Sequence, residues 1–287
     1  MAADIAKFTR FNVGRHLNDI NNKLRENVIT HLWNPPKNFI DHPEFGVKWV
    51  ETSNKFKKSV SSLCVVPFDD LVVKKKAGRK FNYDFKITYM KDRVAVHTEN
   101  IEFKHNSKSI CDNPQYVNLS ENVGFMPYHS YAEFFYDEYI EKLCELAELE
   151  IPNKDTYMKF VYQNNYSKFP FFEKLKAREA EIKDKKSKMV NESISGYLEK
   201  YSAMLSLPML NYEIERTQTK QYLLWDGMDF HLDKFTEDEM KVTGVDSIKN
   251  GNTIIVNSKG TAKHHMLLRW KNHKGILYPA WQIKLAR

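Results

Sequence analysis

The sequence predicts a mixed α/β (α+β) fold in which a mixed central sheet is flanked by helices. Residues 15–33 place apolar side chains at helical spacing, and residues 129–149 repeat that pattern. Residues 81–89, FNYDFKITY, instead alternate between apolar and polar side chains, as a half-buried strand does. Helix and strand patterns that follow one another in this way are typical of a sheet covered by helices.

The pattern also predicts three segments. We expect residues 1–150 to form the core as helix, strand meander and helix. A lysine-rich helical stretch at 171–206 indicates a helical insertion or arm over residues 151–210. Residues 211–287 read as a β-rich, basic C-terminal region packed on the core, with KNGNT and KNHKG as hairpin turns.

Within the predicted core, the elements follow in a clear order. The first helix ends at NPPKN, because proline cannot continue it, and a second helix covers GVKWVETSNKFKKSVSSL. LVVKK is a short strand, and KDR joins the strand FNYDFKITY to the returning strand VAVHTENIEFKH. The acids of this hairpin therefore lie on the second and third strands.

The returning strand changes its alternation. Val94 and Val96 occupy even positions, whereas Ile101 and Phe103 occupy odd ones. This predicts a bulge or bend near residues 98–100, with Glu102 and Lys104 beyond it on the polar face. A regular register would place Asp84 nearer Glu99, so the bend is what brings Glu102 and Lys104 alongside Asp84.

The charge distribution indicates a polyanionic partner. The formal net charge is +7 and the pI is about 9.0. From Ser247 to Arg287 the chain has no Asp or Glu but eight Lys and Arg residues. Phosphate neutralisation dominates nucleic-acid affinity, so such a segment favours nucleic acid.

Cysteine content and hydropathy predict the compartment. The three cysteines have no Cys-x-x-Cys pair, which argues against a disulfide framework or a structural zinc site. We find no transmembrane-length apolar run and no signal-peptide core, so we expect no membrane association and an intracellular location, cytoplasmic or nuclear. The abundance of Lys, Asn, Ile, Phe and Tyr suits an AT-rich coding sequence, for which a virus is one source.

The hairpin combines residue types that suit phosphodiester chemistry. Asp84 lies on one strand, and Glu102 and Lys104 lie on the next. Mg²⁺ prefers oxygen ligands and keeps several waters, so two carboxylates can hold it. A lysine on the same face can orient a water or stabilise the transition state.

These residues resemble the PD-(D/E)xK nuclease superfamily, which has the restriction-endonuclease-like fold. The resemblance rests on Asp84 and on IEFK, with Glu102 and Lys104, although Tyr83 replaces the proline of the motif. It implies that Asp84 and Glu102 bind Mg²⁺ (or Mn²⁺) and that Lys104 is the catalytic lysine.

Two further assignments follow from the resemblance. An acid from a preceding helix often completes such sites, and Glu51 is the first candidate, followed by Glu44 and Glu26. A rival registration uses PFDD and the Asp84-Phe85-Lys86 sequence, which would make Asp70 and Lys86 the alternative catalytic residues. Asp84 serves in both registrations.

Two basic segments are candidates for nucleic-acid contact. KKKAGRK suits a phosphate-contacting loop, and KHHMLLRWKNHKG combines cations with an aromatic ring that can stack on bases. Asn272 and Gln282 are candidate readers of base edges. The predicted nucleic-acid-binding residues are Lys75, Lys76, Arg79, Lys80, Lys263, Arg269, Trp270, Lys271, Asn272 and Lys274.

The combined prediction is a Mg²⁺-dependent endonuclease of type II restriction type that hydrolyses DNA, with double-stranded DNA as preferred partner and a homodimer as its form. Three alternatives stay open: a non-catalytic nucleic-acid-binding protein, a viral RNA endonuclease of the cap-snatching kind, and a structural or interaction protein. No P-loop, dinucleotide fingerprint or Ser-His-Asp order is present, so nucleotide hydrolysis and serine chemistry have no support.

Overall fold

The chain divides into two compact units, each with its own five-stranded sheet. Unit 1 comprises Met1–Asn113 and Thr217–Phe235, and unit 2 comprises Pro114–Arg216 and Thr236–Arg287. The mixed α/β class is confirmed. The computed structural model describes residues 1–9, 15–76, 81–114, 116–119, 124–127, 129–163, 168–273 and 276–287.

Unit 1 contains three α-helices and five strands among its described residues. A 3-10 helix at Ala2–Thr9 precedes them. In chain order they are α1 (Arg15–Ile29), α2 (Lys37–Ile40), α3 (Gly46–Ser61), β1 (Asp70–Lys75), β2 (Phe85–Lys91), β3 (Val94–His105), β5 (Gln221–Trp225) and β6 (Phe230–Asp233).

The sheet of unit 1 is mixed, as predicted. Its strand order is β1-β2-β3-β5-β6. The first three strands form an antiparallel meander, β5 runs parallel to β3, and β6 is antiparallel to β5. The parallel pairing joins residues 101–105 to residues 221–225, which is why residues 217–235 belong to unit 1 and not to a C-terminal region.

The helices of unit 1 pack on one face of this sheet, here called the apolar face. Phe85, Ile87 and Ile101 are fully buried there, in the same cluster as Trp49 and Phe56 of α3. On the other face, here called the polar face, β2 and β3 carry Lys86, Thr88, Asn100, Glu102 and Lys104.

The β2–β3 hairpin contains the predicted bulge, at a different position. Tyr89 pairs with His97 and Met90 pairs with Ala95, so Val96 is the extra residue. The sequence predicted the bulge near residues 98–100. Without the extra residue, Phe85 would lie opposite Asn100, and the two faces of β3 would exchange. The bulge therefore turns Ile101 and Phe103 into the core and leaves Glu102 and Lys104 on the polar face.

The turn of this hairpin is tight. Asp92 and Arg93 both have positive φ, 51° and 66°, which is the conformation of a type I′ turn. This turn alone would place Asp84 opposite Ile101, and not near Glu99 as the sequence suggested. The turn and the bulge together fix the register of the site.

Unit 2 contains six α-helices and five strands among its described residues. In chain order they are β4 (Tyr116–Leu119), α4 (Tyr131–Ala147), α5 (Lys154–Tyr162), α6 (Pro170–Ala177), α7 (Glu179–Tyr201), α8 (Leu207–Gln218, whose last two residues fall in unit 1), α9 (Glu237–Met240), β7 (Val242–Lys249), β8 (Thr253–Ser258), β9 (Lys263–His273) and β10 (Ile276–Ala286).

The sheet of unit 2 is antiparallel in the order β4-β10-β9-β8-β7. One of its faces carries Met266, Leu268 and Trp281, which are buried in a cluster with side chains of α4, α6 and α7. The predicted helices near residues 129–149 and 171–206 exist, but they belong to this core. The boundaries predicted at residues 150 and 210 and the helical arm differ from the structure for that reason.

Two further expectations bear on the fold. Cys64, Cys111 and Cys144 are all free thiols. Among the described residues, no helix is both long enough and apolar enough to cross a membrane.

The strained turn gives a test of the hairpin. Arg93 is exposed and has positive φ, which a side chain with Cβ adopts at a cost. We expect Arg93→Gly to raise the free energy of unfolding by about 0.5–1 kcal/mol in urea denaturation. The matched control Lys91→Gly, in the adjacent strand, should lower it by about 0.5–1 kcal/mol. A loss of stability in Arg93→Gly would contradict the turn assignment.

Candidate functional site

Glu102 and two lysines form the centre of the candidate site. The Nζ of Lys104 lies 2.6 Å from Glu102 Oε1, and the Nζ of Lys220 lies 3.2 Å from Glu102 Oε2. The Glu102 side chain is 14% exposed, that of Lys104 23% and that of Lys220 4%. One nearly buried carboxylate is thus neutralised from both sides.

Asp84 reaches this centre from a bend and not from a strand. The sequence predicted a strand from residue 81, but β2 begins at Phe85. Asp84 still donates its N–H to the Ile101 carbonyl at 2.9 Å, and its Oδ2 accepts the N–H of Phe103 at 2.9 Å. The carboxyl group therefore occupies a position in the hydrogen-bond ladder, directly beside Glu102.

The two carboxyl groups have opposite electrostatic environments. Burial and the charge of Glu102 raise the pKa of Asp84 to about 7, although the Phe103 N–H and Lys104 oppose the rise. Burial also raises the pKa of Glu102, but Lys104 and Lys220 outweigh burial and hold that pKa below its ordinary value. At neutral pH, Glu102 is charged and Asp84 stands near its midpoint of titration.

Lys220 is the site residue that the sequence did not reveal. It lies one residue before β5, and the parallel pairing of Glu102 with Tyr222 brings it next to Glu102. Its Nζ also donates to the Asn82 carbonyl, and burial lowers its pKa although Glu102 opposes this. A lysine 118 positions away shares no local motif with Glu102, so only the pairing of β3 with β5 could have found it.

The helix acids are placed differently from the prediction. Glu51 and Glu44 are exposed, and Glu51 lies on α3, which packs against the apolar face of the sheet. Glu26 on α1 instead acts on Asp84, because its charge contributes to the raised pKa of that carboxyl. It also forms an ion pair with Lys75 at 2.7 Å. Glu26 is therefore the helix acid associated with the site.

Asp70, the second acid of the rival registration, lies far from Asp84. Asp70 pairs with Met90 at the far end of the hairpin and accepts a hydrogen bond from Trp33 Nε1 at 2.7 Å. Lys76, whose N–H donates to the Asp84 carbonyl, lies six positions further along the chain, at a distance of roughly 20 Å for an extended strand. Lys86 lies on the polar face, opposite Lys74.

The described part of the predicted basic loop, Lys74–Lys76, ends next to Asp84. Lys76 donates its N–H to the Asp84 carbonyl at 2.7 Å, and its ammonium group lies 5.1 Å from the centre of the Phe81 ring. Lys75 pairs with Glu26. Arg79 and Lys80 lie outside the described residues.

The C-terminal candidates fall on two faces of β9. Lys263, Arg269 and Lys271 are partly exposed. Trp270 instead packs in the core, with its Nε1 bonded to Tyr131 Oη at 3.0 Å and its ring 4.9 Å from that of Phe135. Alternation along the strand turns the Trp270 ring toward the core, and this packing does not favour the predicted stacking on bases. Lys274 and the side chain of Asn272 lie outside the described part of the chain, and Gln282 is partly exposed.

The candidate site contains two carboxyl groups, those of Asp84 and Glu102, which are of the type that ligates Mg²⁺. Among the described residues, no group of three or more His, Cys, Asp and Glu side chains could hold a metal ion. Mg²⁺ in phosphoryl-transfer sites is commonly held by one or two carboxylates together with waters and substrate phosphate oxygens. Asp84 and Glu102 would supply the two carboxylates of such a site.

The raised pKa of Asp84 gives a stability test. Because the pKa rises from 3.8 to about 7 on folding, the protonated form stabilises the folded state, and this contribution is lost as pH rises through 7. Asp84→Asn resembles the protonated form. Relative to the wild type, it should gain roughly 2–4 kcal/mol between pH 4 and pH 8.5 in urea denaturation.

The matched control for this test is Asp184→Asn, at an exposed position of α7. Its stability relative to the wild type should change by less than about 0.5 kcal/mol over the same pH range. A flat difference for Asp84→Asn as well would show that Asp84 is not held in this environment.

Comparison with known proteins identified no relative from which a function could be inferred. No family model, no curated protein and no solved structure matches this chain.

Proposed function

We propose that the chain is a divalent-cation-dependent endonuclease that hydrolyses phosphodiester bonds in DNA, with a restriction-endonuclease-like core in unit 1. The observation that carries the proposal is the convergence of Asp84, Glu102 and Lys104, the three residues on which the PD-(D/E)xK resemblance rests. The mixed sheet supports the same proposal, because helices cover one of its faces, Asp84 lies in the bend directly before β2 and Glu102 lies on β3.

The two carboxyl groups provide the place for the cation. Asp84 and Glu102 would hold Mg²⁺ or Mn²⁺, which supplies charge neutralisation at the phosphate and lowers the pKa of a bound water. Asp84 must lose its proton for this, and its pKa of about 7 places that loss at neutral pH. Two neighbouring carboxyl groups that repel one another are a common basis for cation binding.

The two lysines have different parts in the proposal. Lys104 is the more exposed, so its ammonium group can leave Glu102 and donate to a phosphate oxygen or to the attacking water. Lys220 is almost fully buried and is held by both Glu102 and the Asn82 carbonyl. It orients Glu102 and balances its charge without touching the substrate.

Cleavage assays test the proposal with matched substitutions. Wild-type protein should cut supercoiled plasmid with Mg²⁺ or Mn²⁺ and not with EDTA. Asp84→Asn, Glu102→Gln and Lys104→Gln should each lower the rate at least about 100-fold while DNA affinity is kept, because each removes a group acting at the reaction centre. Glu51→Gln and Asp70→Asn should stay within about twofold of the wild type.

Three outcomes would contradict this assignment. Loss of cleavage in Asp70→Asn but not in Glu102→Gln would favour the rival registration. Cutting of single-stranded RNA alone would indicate an RNA endonuclease. Binding without cutting under every metal condition would indicate a non-catalytic nucleic-acid-binding protein.

A further inference from the structure

The outer face of the sheet in unit 2 carries a continuous set of cations. Along β9, His264, Met266 and Leu268 are buried, whereas His265 and Arg269 between and beyond them are partly exposed. The even positions fill the core of unit 2, so the odd positions define the opposite face. The sequence showed an excess of positive charge here, but not its segregation to one face.

The strand register adds cations from neighbouring strands to this face. Lys284 of β10 lies opposite His265, and Gln282 lies opposite Leu267. Lys249 lies opposite Thr253, which in turn pairs with Leu267. We define the basic sheet face by Lys249, Lys263, His265, Arg269, Lys271 and Lys284.

The positive charges on this face lie close enough together to add to one electrostatic potential. Burial lowers the pKa of His265, and the positive charges of Lys249, Lys284 and Lys263 lower it further. Asp246 contacts the face through an ion pair with Lys263 at 3.1 Å. Strands β8, β9 and β10 contain no acid in their sequence, so the face has a positive potential that a polyanion would relieve.

We propose that the basic sheet face binds the sugar-phosphate backbone of nucleic acid. Its cations run from Lys263 to Lys271 along one strand, a length of roughly 27 Å, which suits a linear polyanion. Among the side chains that the structure describes on this face, there is no row of exposed large apolar groups that could enter a bilayer, which disfavours a lipid surface. The choice of nucleic acid rests on the proposed function, but the binding requires neither metal nor hydrolysis.

Charge reversal on the face tests the proposal. Fluorescence anisotropy in EDTA would measure binding of a labelled 30-base-pair DNA and of a labelled single-stranded RNA by full-length protein. The triple variant Lys249→Glu, Arg269→Glu and Lys284→Glu should weaken binding at least about tenfold and reduce the salt slope by about 2–3, since three phosphate contacts are lost.

The matched control reverses three exposed lysines of α7, Lys183, Lys185 and Lys188, to glutamate. Both triple variants reverse three positive charges, so they change the net charge by the same amount, and in both the substituted residues belong to unit 2. The control should retain the salt slope of the wild type. Equal weakening in both variants would show that net charge alone drives binding, and would overturn the proposal.

Two further arms keep the test decisive. If the glutamate variant fails to fold by circular dichroism, the glutamine variant of the same three residues should still reduce the salt slope. Stronger binding to phosphatidylserine vesicles than to nucleic acid would assign the face to a lipid surface instead. Normal binding with no cleavage would refute only the nuclease proposal, whereas cleavage with unchanged binding in the triple variant would refute only this one.

Discussion

The candidate site depends on one extra residue in β3. The bulge at Val96 shifts the pairing of β2 with β3 by one position. Because side chains alternate between faces, this shift decides which residues of β3 enter the core and which stay available for chemistry. Ile101 and Phe103 are buried, and burial of these apolar side chains stabilises the register that leaves Glu102 and Lys104 on the polar face.

The charges of the site then follow from burial. An uncompensated carboxylate in such a position is costly, so Glu102 is neutralised by two ammonium groups, while Asp84 is stabilised in its protonated form. The first arrangement requires β5, which brings Lys220 to β3. The second follows from burial of Asp84 beside Glu102, and it persists although the N–H of Phe103, which the Asp84 carboxyl accepts at the bend before β2, opposes the rise in pKa.

Local patterns predicted much of this arrangement. Alternation in FKITY and in the two halves of β3 identified both strands and the existence of a bulge, because each half must bury its own apolar residues. The position of the bulge could not be read, since residues 97–100 carry no strong apolar pattern. Lys220 and the association of Glu26 with Asp84 depend on contacts between distant segments, which no local spacing records.

Unit 2 shows the same limit. The acid-free stretch was visible in the sequence, but Trp270 was assigned to a surface because its neighbours are basic. The alternation of β9 places its ring against Phe135 and separates it from the cations that flank it. Strand parity, which identified the faces of β2, would have distinguished the two faces of β9 as well.

The central claim is that Asp84 and Glu102 jointly hold a divalent cation. Crystals grown with Mn²⁺ at pH 8, where Asp84 is ionised, would test it by anomalous scattering at the manganese edge. The account predicts a peak about 2 Å from a carboxylate oxygen of both residues, with Lys220 still bonded to Glu102. A manganese peak elsewhere, or none while both lysines keep their contacts to Glu102, would contradict it.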